Sequence, residues 1–279
     1  MNDETAGFVR PTAPATAPRR KRIAAAADSP AMIWICRLAL AAVILGVWQA
    51  SVDYGFVDPL FLASPVAICR FLIGYLISGR IWLNALVTLE ETIQGFLYGA
   101  GLGVVVGLIL GWSRFLERVM TPFFTIFNAM PRVALAPMFI LWFGIGELSK
   151  VVLAFSLVFF IVVINTEAGV RSIDPDLTVM ARVMGATERQ RFIKVVLPGA
   201  LPAIFAGLRL GVVYSLLGVV VGEMIAAKWG LGQQAIEYSN NYEPAGVFGV
   251  LAVLASIAIC LNEIMVRTER HLGRWKDKD

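Results

Sequence analysis

Six apolar stretches, residues 32–51, 92–112, 122–144, 151–168, 203–225 and 245–265, punctuate the chain. Each is close to the roughly 20 residues that a helix needs to cross a hydrocarbon core. Inside lipid every backbone N–H and C=O must find its partner within the protein, and a helix does this segment by segment. The predicted fold is all-α: a polytopic membrane protein with six transmembrane helices. Of the 279 residues, 58% are hydrophobic and 16% charged, with a mean hydropathy of +0.74, which excludes a water-soluble enzyme.

The few charges set the orientation. Arg10, Arg19, Arg20, Lys21, Arg22, Arg114, Arg118, Arg171, Arg182, Arg189, Arg191, Lys194, Arg267, Arg270, Arg274, Lys276 and Lys278 fall on one predicted side, against Arg70, Arg80, Lys150 and Lys228 on the other. The positive-inside rule makes the first side cytoplasmic, with both termini on it. Residues 1–29, rich in Ala, Pro and Thr, read as a disordered cytoplasmic tail. Residues 30–84 read as a first transmembrane helix and an extracytoplasmic segment, in which 65–77 is amphipathic and suited to an interface. Because 32–51 exceeds the usual apolar region of a signal peptide, it is expected to remain as a span. Residues 85–266 form the transmembrane domain with a cytoplasmic loop at 171–202, and 267–279 a cytoplasmic C-terminal tail.

The loop at 171–202 carries readable helix signals. Asp174 can cap a helix whose first position is Pro175, where a missing N–H costs nothing, and Gly185 stops that helix. Thr187 and Gln190 have the spacing of a capping box, so a second helix starts there, and Pro198 and Pro202 mark re-entry into the membrane. Two short helices joined by a glycine turn make a rigid knob, suited to a groove on another protein.

Within the spans, Gly95, Gly99, Gly103, Gly107 and Gly111 recur every four residues and leave one helix face bare for close packing, a pattern repeated by Ala203, Gly207, Gly211 and Ser215. Pro131 and Pro137 are expected to bend the third span, beside Arg132. A charge at that depth faces water, a partner or freed carbonyls, which makes Pro131, Arg132, Pro137 and Asn165 candidates for a translocation path. Glu167 and Glu223 are read as interfacial, and Arg209 as snorkelling to the cytoplasmic interface. Cys36, Cys69 and Cys260 lack metal-ligand spacing and His271 stands alone in a charged tail, so no metal site and no catalytic residue is assigned. The phosphate-binding pattern GxxxxGK[ST] does not occur, so the chain is not itself an ATPase of that type.

In the loop, Ala181, Gly185, Val195, Leu197 and Pro198 resemble the motif of ABC importer permeases written EAA, three residues, G, nine residues, I, one residue, LP. Val179-Met180-Ala181 stands in the place of Glu-Ala-Ala, so the motif's Glu is missing. The stretches from Pro131 to Glu147, from Leu197 to Arg209, and Val221-Gly222-Glu223-Met224 resemble the branch that imports nitrate, sulfonates and taurine. The resemblance implies a permease subunit of the bacterial inner membrane working by alternating access on a small, anionic solute. Its partners would be two ABC ATPases, an extracytoplasmic substrate-binding protein and a second permease copy forming a homodimer, with no nucleic acid. It also implies that no cofactor binds this chain and that ATP is used by the partner subunits. Asp176, Ala181, Gly185, Ala186, Thr187, Gln190, Val195, Leu197 and Pro198 would then form the ATPase-coupling loop. An ion-coupled secondary transporter and a non-transporting membrane scaffold are the alternatives.

Overall fold

A computed structural model describes residues 30–272. The expected tail at 1–29 and the terminal cations Arg274, Lys276 and Lys278 lie outside the described residues. The chain divides into two units, Met1–Phe56 and Val57–Asp279. The described part of the first is one apolar helix of 24 residues, α1 (Pro30–Asp53).

The second unit is helical throughout its described elements. α2 (Pro65–Ile77) starts at Ser64, whose hydroxyl accepts from the Ala67 N–H at 3.2 Å, with proline in the first turn. Then follow α3 (Arg80–Trp112), α4 (Arg114–Ala129), a 3-10 turn (Arg132–Leu135), α5 (Ala136–Phe143) and α6 (Glu147–Arg171). The loop helices α7 (Pro175–Val183) and α8 (Glu188–Arg191) lead through a π turn (Phe192–Val196) into α9 (Leu197–Ala226), and α10 (Leu231–Asn240) and α11 (Pro244–Leu272) complete the unit. Five described helices are long and apolar enough to cross a membrane. A sixth crossing is available if α4 and the segment Arg132–Phe143, bent by 75° from each other, count as one broken span.

The bend has a local cause. Met130 precedes Pro131 and is driven out of the helical region to φ −71°, ψ 132°, which ends α4. Pro137 does not add the second disruption expected of it, because it falls in the first turn of α5, where no partner for its nitrogen is required.

The core is built around α6. Gly95, Gly99, Gly103, Gly107 and Gly111 of α3 face Ala154, Val158, Val162, Thr166 and Val170, one rung every four residues on both helices, so α3 and α6 run parallel at backbone-contact distance. On its other side α6 meets α9 antiparallel, with Ala203 against Gly169, Gly207 against Asn165, Gly211 against Val158 and Gly218 against Ala154. Valines 158, 162 and 163 and Ala154 are fully buried between the two glycine faces.

Two spans are longer than their apolar stretches. α3 begins at Arg80 rather than near 92, because Asn84, Thr88 and Glu91, which read as loop residues, are buried and bonded inside the bundle. The fifth crossing is continuous with the loop: helix runs unbroken from Glu188 to Ala226 over 39 residues, and Pro198 and Pro202 lie within it instead of marking its start. The π turn absorbs the register change that lets the chain pass these prolines while staying helical.

Candidate functional site: the loop at 171–202 and the buried polar lock

The loop's turn is a complete helix-stop motif. The Gly185 N–H donates to the Arg182 carbonyl and the Ala186 N–H to the Ala181 carbonyl, both at 3.0 Å, with Gly185 left-handed at φ +82°. This is the paired bonding of a Schellman stop, which fixes the four-residue distance from Ala181 to Gly185. The Asp174 carboxylate caps the start of α7 by accepting from the Asp176 N–H at 2.9 Å, and Asp176 adds a negative charge in the first turn. At α8, the Thr187 hydroxyl accepts from the Gln190 N–H at 3.3 Å and Gln190 Oε1 accepts from the Thr187 N–H at 2.9 Å, a reciprocal capping box.

Val195 sits half-buried in the π turn, and beside it Val196, Ala200 and Ile204 pack with Val170 and Leu197 against the end of α6. Pro198 occupies the first turn of α9. The loop is therefore tied to the bundle on its return side, while α7 presents Leu177, Met180, Val183 and Met184 outward, the last two more than 80% exposed. Exposed apolar residues grouped on one face of a charged loop make a candidate contact surface. Sequence reading named Met180 only within the loop motif and assigned none of the four to a contact face, although their helical spacing on a charged loop carried the signal.

At the other end of α6, about 30 Å away at 1.5 Å per residue, polar residues are sealed inside the bundle. The first N–H groups of α10 have no partner within their own helix. Asn84 Oδ1 accepts from Gly230 N at 2.9 Å, Thr88 Oγ1 from Leu231 N at 2.9 Å, and Glu223 Oε2 from Gly232 N at 2.7 Å. Thr88 also donates to Glu223 Oε1 at 2.7 Å. A side chain at Gly230 (φ +124°) would enter the space of the Glu223 carboxylate, which explains a glycine there. Lys150 and Glu91 form an ion pair, each about 5% exposed or less.

Glu223 is thus a buried anchor at 1% exposure, not an interfacial residue, and Lys150 is a core residue of α6 rather than a loop cation. The residues escaped sequence reading because their partners lie as far apart in the chain as Asn84 and Gly230. α10 is further held by Tyr75, which donates to Gln234 Oε1. Burial pushes the Tyr75 hydroxyl up to about 12, so it remains a donor at any physiological pH.

Removing the anchor has a defined cost. Glu223→Ala strands the Gly232 N–H in a dry site and leaves the Thr88 hydroxyl only the Asn84 carbonyl, at 3.0 Å, to donate to, a loss of about 3 kcal/mol. Thermal unfolding in detergent is expected to show a clear drop in midpoint for Glu223→Ala and a smaller one for Glu223→Gln. Equal midpoints for wild type and Glu223→Ala would remove the anchoring role.

The remaining predicted residues are dispersed. Arg132 stands in the 3-10 turn after the break, donates to Asn128 Oδ1 at 2.8 Å and to the Phe127 carbonyl at 3.3 Å, and lies 4.1 Å from the Phe160 ring centroid. Asn165 donates to its own helix at the Ile161 carbonyl and packs on Gly207. Glu167 pairs with Arg171, which also reaches Glu117 at 2.8 Å. Arg209 does not snorkel freely but pairs with Glu269 of α11.

Comparison with known proteins agrees with this architecture. SsuC of Bacillus subtilis (strain 168), a protein named for aliphatic sulfonate transport, is 33% identical over 244 residues, 88% of each chain. RibX of Chloroflexus aurantiacus, named as a riboflavin transport system permease, is 35% identical over 84% of this chain and 87% of its own. TauC of Escherichia coli (strain K12), a taurine transport system permease protein, is 30% identical over 84% and 87%. The fold is similar to that of an inward-facing MetNI methionine ABC transporter chain, with a TM-score of 0.61 and 24% identity over 71% of this chain and 96% of that one. With residues 101–278 matching that family, the chain belongs to the binding-protein-dependent transport system inner membrane components, the permeases of ABC importers.

Proposed function

We propose that this chain is the membrane subunit through which separate ATPases drive import of a small anionic solute, such as a sulfonate, taurine or nitrate. The observation that carries this reading is the uninterrupted helix from Glu188 to Ala226. Its first turn belongs to the loop and its last holds Glu223, so a push on α7 and α8 reaches the far side of the bundle through one rod. Two ATPases dock on the outward faces of two such loops, in a homodimer with both termini cytoplasmic. ATP-driven closure of the ATPases tilts the rods and alternates access, and an extracytoplasmic binding protein delivers the solute. The chain binds no cofactor, and ATP is consumed by the partners.

Solute class is supported by the sulfonate and taurine relatives, while the riboflavin relative shows that the scaffold accompanies other cargo names as well. The path runs past the break at Pro131, where Arg132 is the cation nearest the bend, with Pro137 in the first turn of α5 and Asn165 on α6. Arg132→Gln is expected to lower uptake by on the order of tenfold while leaving assembly intact. Unchanged uptake with normal assembly would take Arg132 out of the path.

Docking is tested by purification. A tagged chain should bring down two ATPase subunits, and Met180→Glu with Met184→Glu should release them without unfolding the bundle, since both side chains face away from it. Retention of the ATPases by the double variant would place the docking surface elsewhere. A scaffold without transport activity would show neither nucleotide-dependent uptake nor a dependence on this face.

A further inference from the structure

Behind α7, on the side opposite its exposed apolar face, a cleft of about 540 Å³ opens between the loop and the ends of α3 and α6. Four arginines, Arg114, Arg171, Arg182 and Arg191, line it together with one carboxylate, Glu188. Four elements converge to supply them: the start of α4, the end of α6 and the loop helices α7 and α8. Arg171 is neutralised by Glu117 and Glu167. Arg191 pairs with Glu188 and lies 5.1 Å from the Trp112 ring centroid, but its buried Nε has no hydrogen-bond partner among the described residues. Arg114 and Arg182 form no ion pair among the described residues.

With Arg171 already neutralised, the donors left over in this concavity are the Arg114 and Arg182 guanidinium groups and the Arg191 Nε, and forked guanidinium groups suit a phosphate's oxygens. The helical spacing of α7 puts Pro175, Thr178 and Arg182 on the cleft side and Leu177, Met180 and Met184 on the other. A partner on the apolar face therefore leaves the cleft free.

We infer that this cleft binds a phosphate oxyanion, either the headgroup of an anionic phospholipid or a free phosphate, between Arg114, Arg182 and Arg191, and so fastens the loop to the bundle. The bound anion bridges α4, α7 and α8, so it stiffens the connection between loop and rod. This goes beyond the transport reading and needs neither an ATPase nor a cargo to be true.

The test is hydrogen exchange of the amides in residues 173–191, with the full-length chain in nanodiscs. Discs of phosphatidylcholine alone, discs with one-fifth phosphatidylglycerol, and phosphatidylcholine discs with inorganic phosphate, the last against chloride at matched ionic strength, separate the two sources. With ligand at about ten times its Kd, exchange through local opening slows by about tenfold. Slowing by phosphatidylglycerol alone identifies the headgroup, and slowing by phosphate in plain discs identifies a soluble ligand; either supports the site. The double variant Arg114→Gln with Arg182→Gln, both exposed and outside any ion pair, should lose the slowing, whereas Arg189→Gln, outside the cleft, should keep it. No slowing by either anion, or equal slowing in the double variant, would overturn the inference.

Discussion

Gly107→Val is expected to lower the thermal midpoint by about 5–10 °C, whereas Gly101→Val, six residues earlier in the same helix, should stay within about 2 °C of wild type. A β-carbon at Gly107 would lie 2.6 Å from the Thr166 β-carbon and 2.8 Å from the Val163 carbonyl oxygen. The second contact is with backbone, which cannot swing aside, so α3 and α6 must separate and neighbouring rungs lose contact with them. At Gly101 nothing lies within 4 Å, and the added side chain points away from the bundle. Overpacking of a tight core costs about 1–3 kcal/mol, and here it acts on a helix pair already in backbone contact. Unfolding of the two variants in the same detergent checks the contrast. Equal midpoints would mean that the parallel glycine ladder carries no stability.

Gly185→Val should leave the bundle folded and ATP hydrolysis present while uptake falls by about tenfold or more. The space around Gly185 is open, with nothing within 4 Å of an added β-carbon, so no collision drives the effect. What changes is the backbone: φ is +82°, a left-handed conformation that a β-branched residue occupies only at a cost of roughly 1–3 kcal/mol. Relieving that strain unwinds the bonds from Gly185 to Arg182 and from Ala186 to Ala181, and with them the fixed angle between α7 and α8. A strain of about 1.4 kcal/mol already corresponds to tenfold in an equilibrium. Gly185→Asn should retain most of the coupling, because a short polar side chain tolerates the left-handed region. The ratio of uptake to ATP hydrolysis reads the result directly, and a normal ratio in Gly185→Val would remove the turn from the coupling path.

The two ends of the molecule differ in how much of them can be read from sequence. Capping and turn chemistry is local: Asp174, Thr187 and Gln190 signal their bonds to residues within three positions, and Gly185 signals its left-handed turn, so the loop was legible in detail. Glycine at four-residue spacing likewise announced a packing face, although not that its partner would be α6 in parallel register. The polar lock is the reverse case. Asn84, Thr88 and Glu91 lower the apparent hydropathy of the first turns of α3 and so disguised a helix as a loop, because their partners stand on α6, α9 and α10. Glu223 shows the same thing, since a carboxylate near a span's end looks interfacial until the helix start it caps has been folded beside it. The π turn at Phe192–Val196 was not legible either, because Pro198 and Pro202 ordinarily mark a boundary and only the widened turn lets the helix run on.

That continuous helix makes the molecule's proposed task testable as a whole. The decisive measurement is solute uptake into proteoliposomes holding the purified assembly, with ATP supplied to the loop side and the binding protein to the other, compared with an imposed proton or sodium gradient and no nucleotide. The account predicts uptake with ATP and binding protein together, none with the gradient alone, and loss of uptake without loss of ATP hydrolysis in Gly185→Val. Uptake driven by an ion gradient in the absence of any ATPase would contradict it.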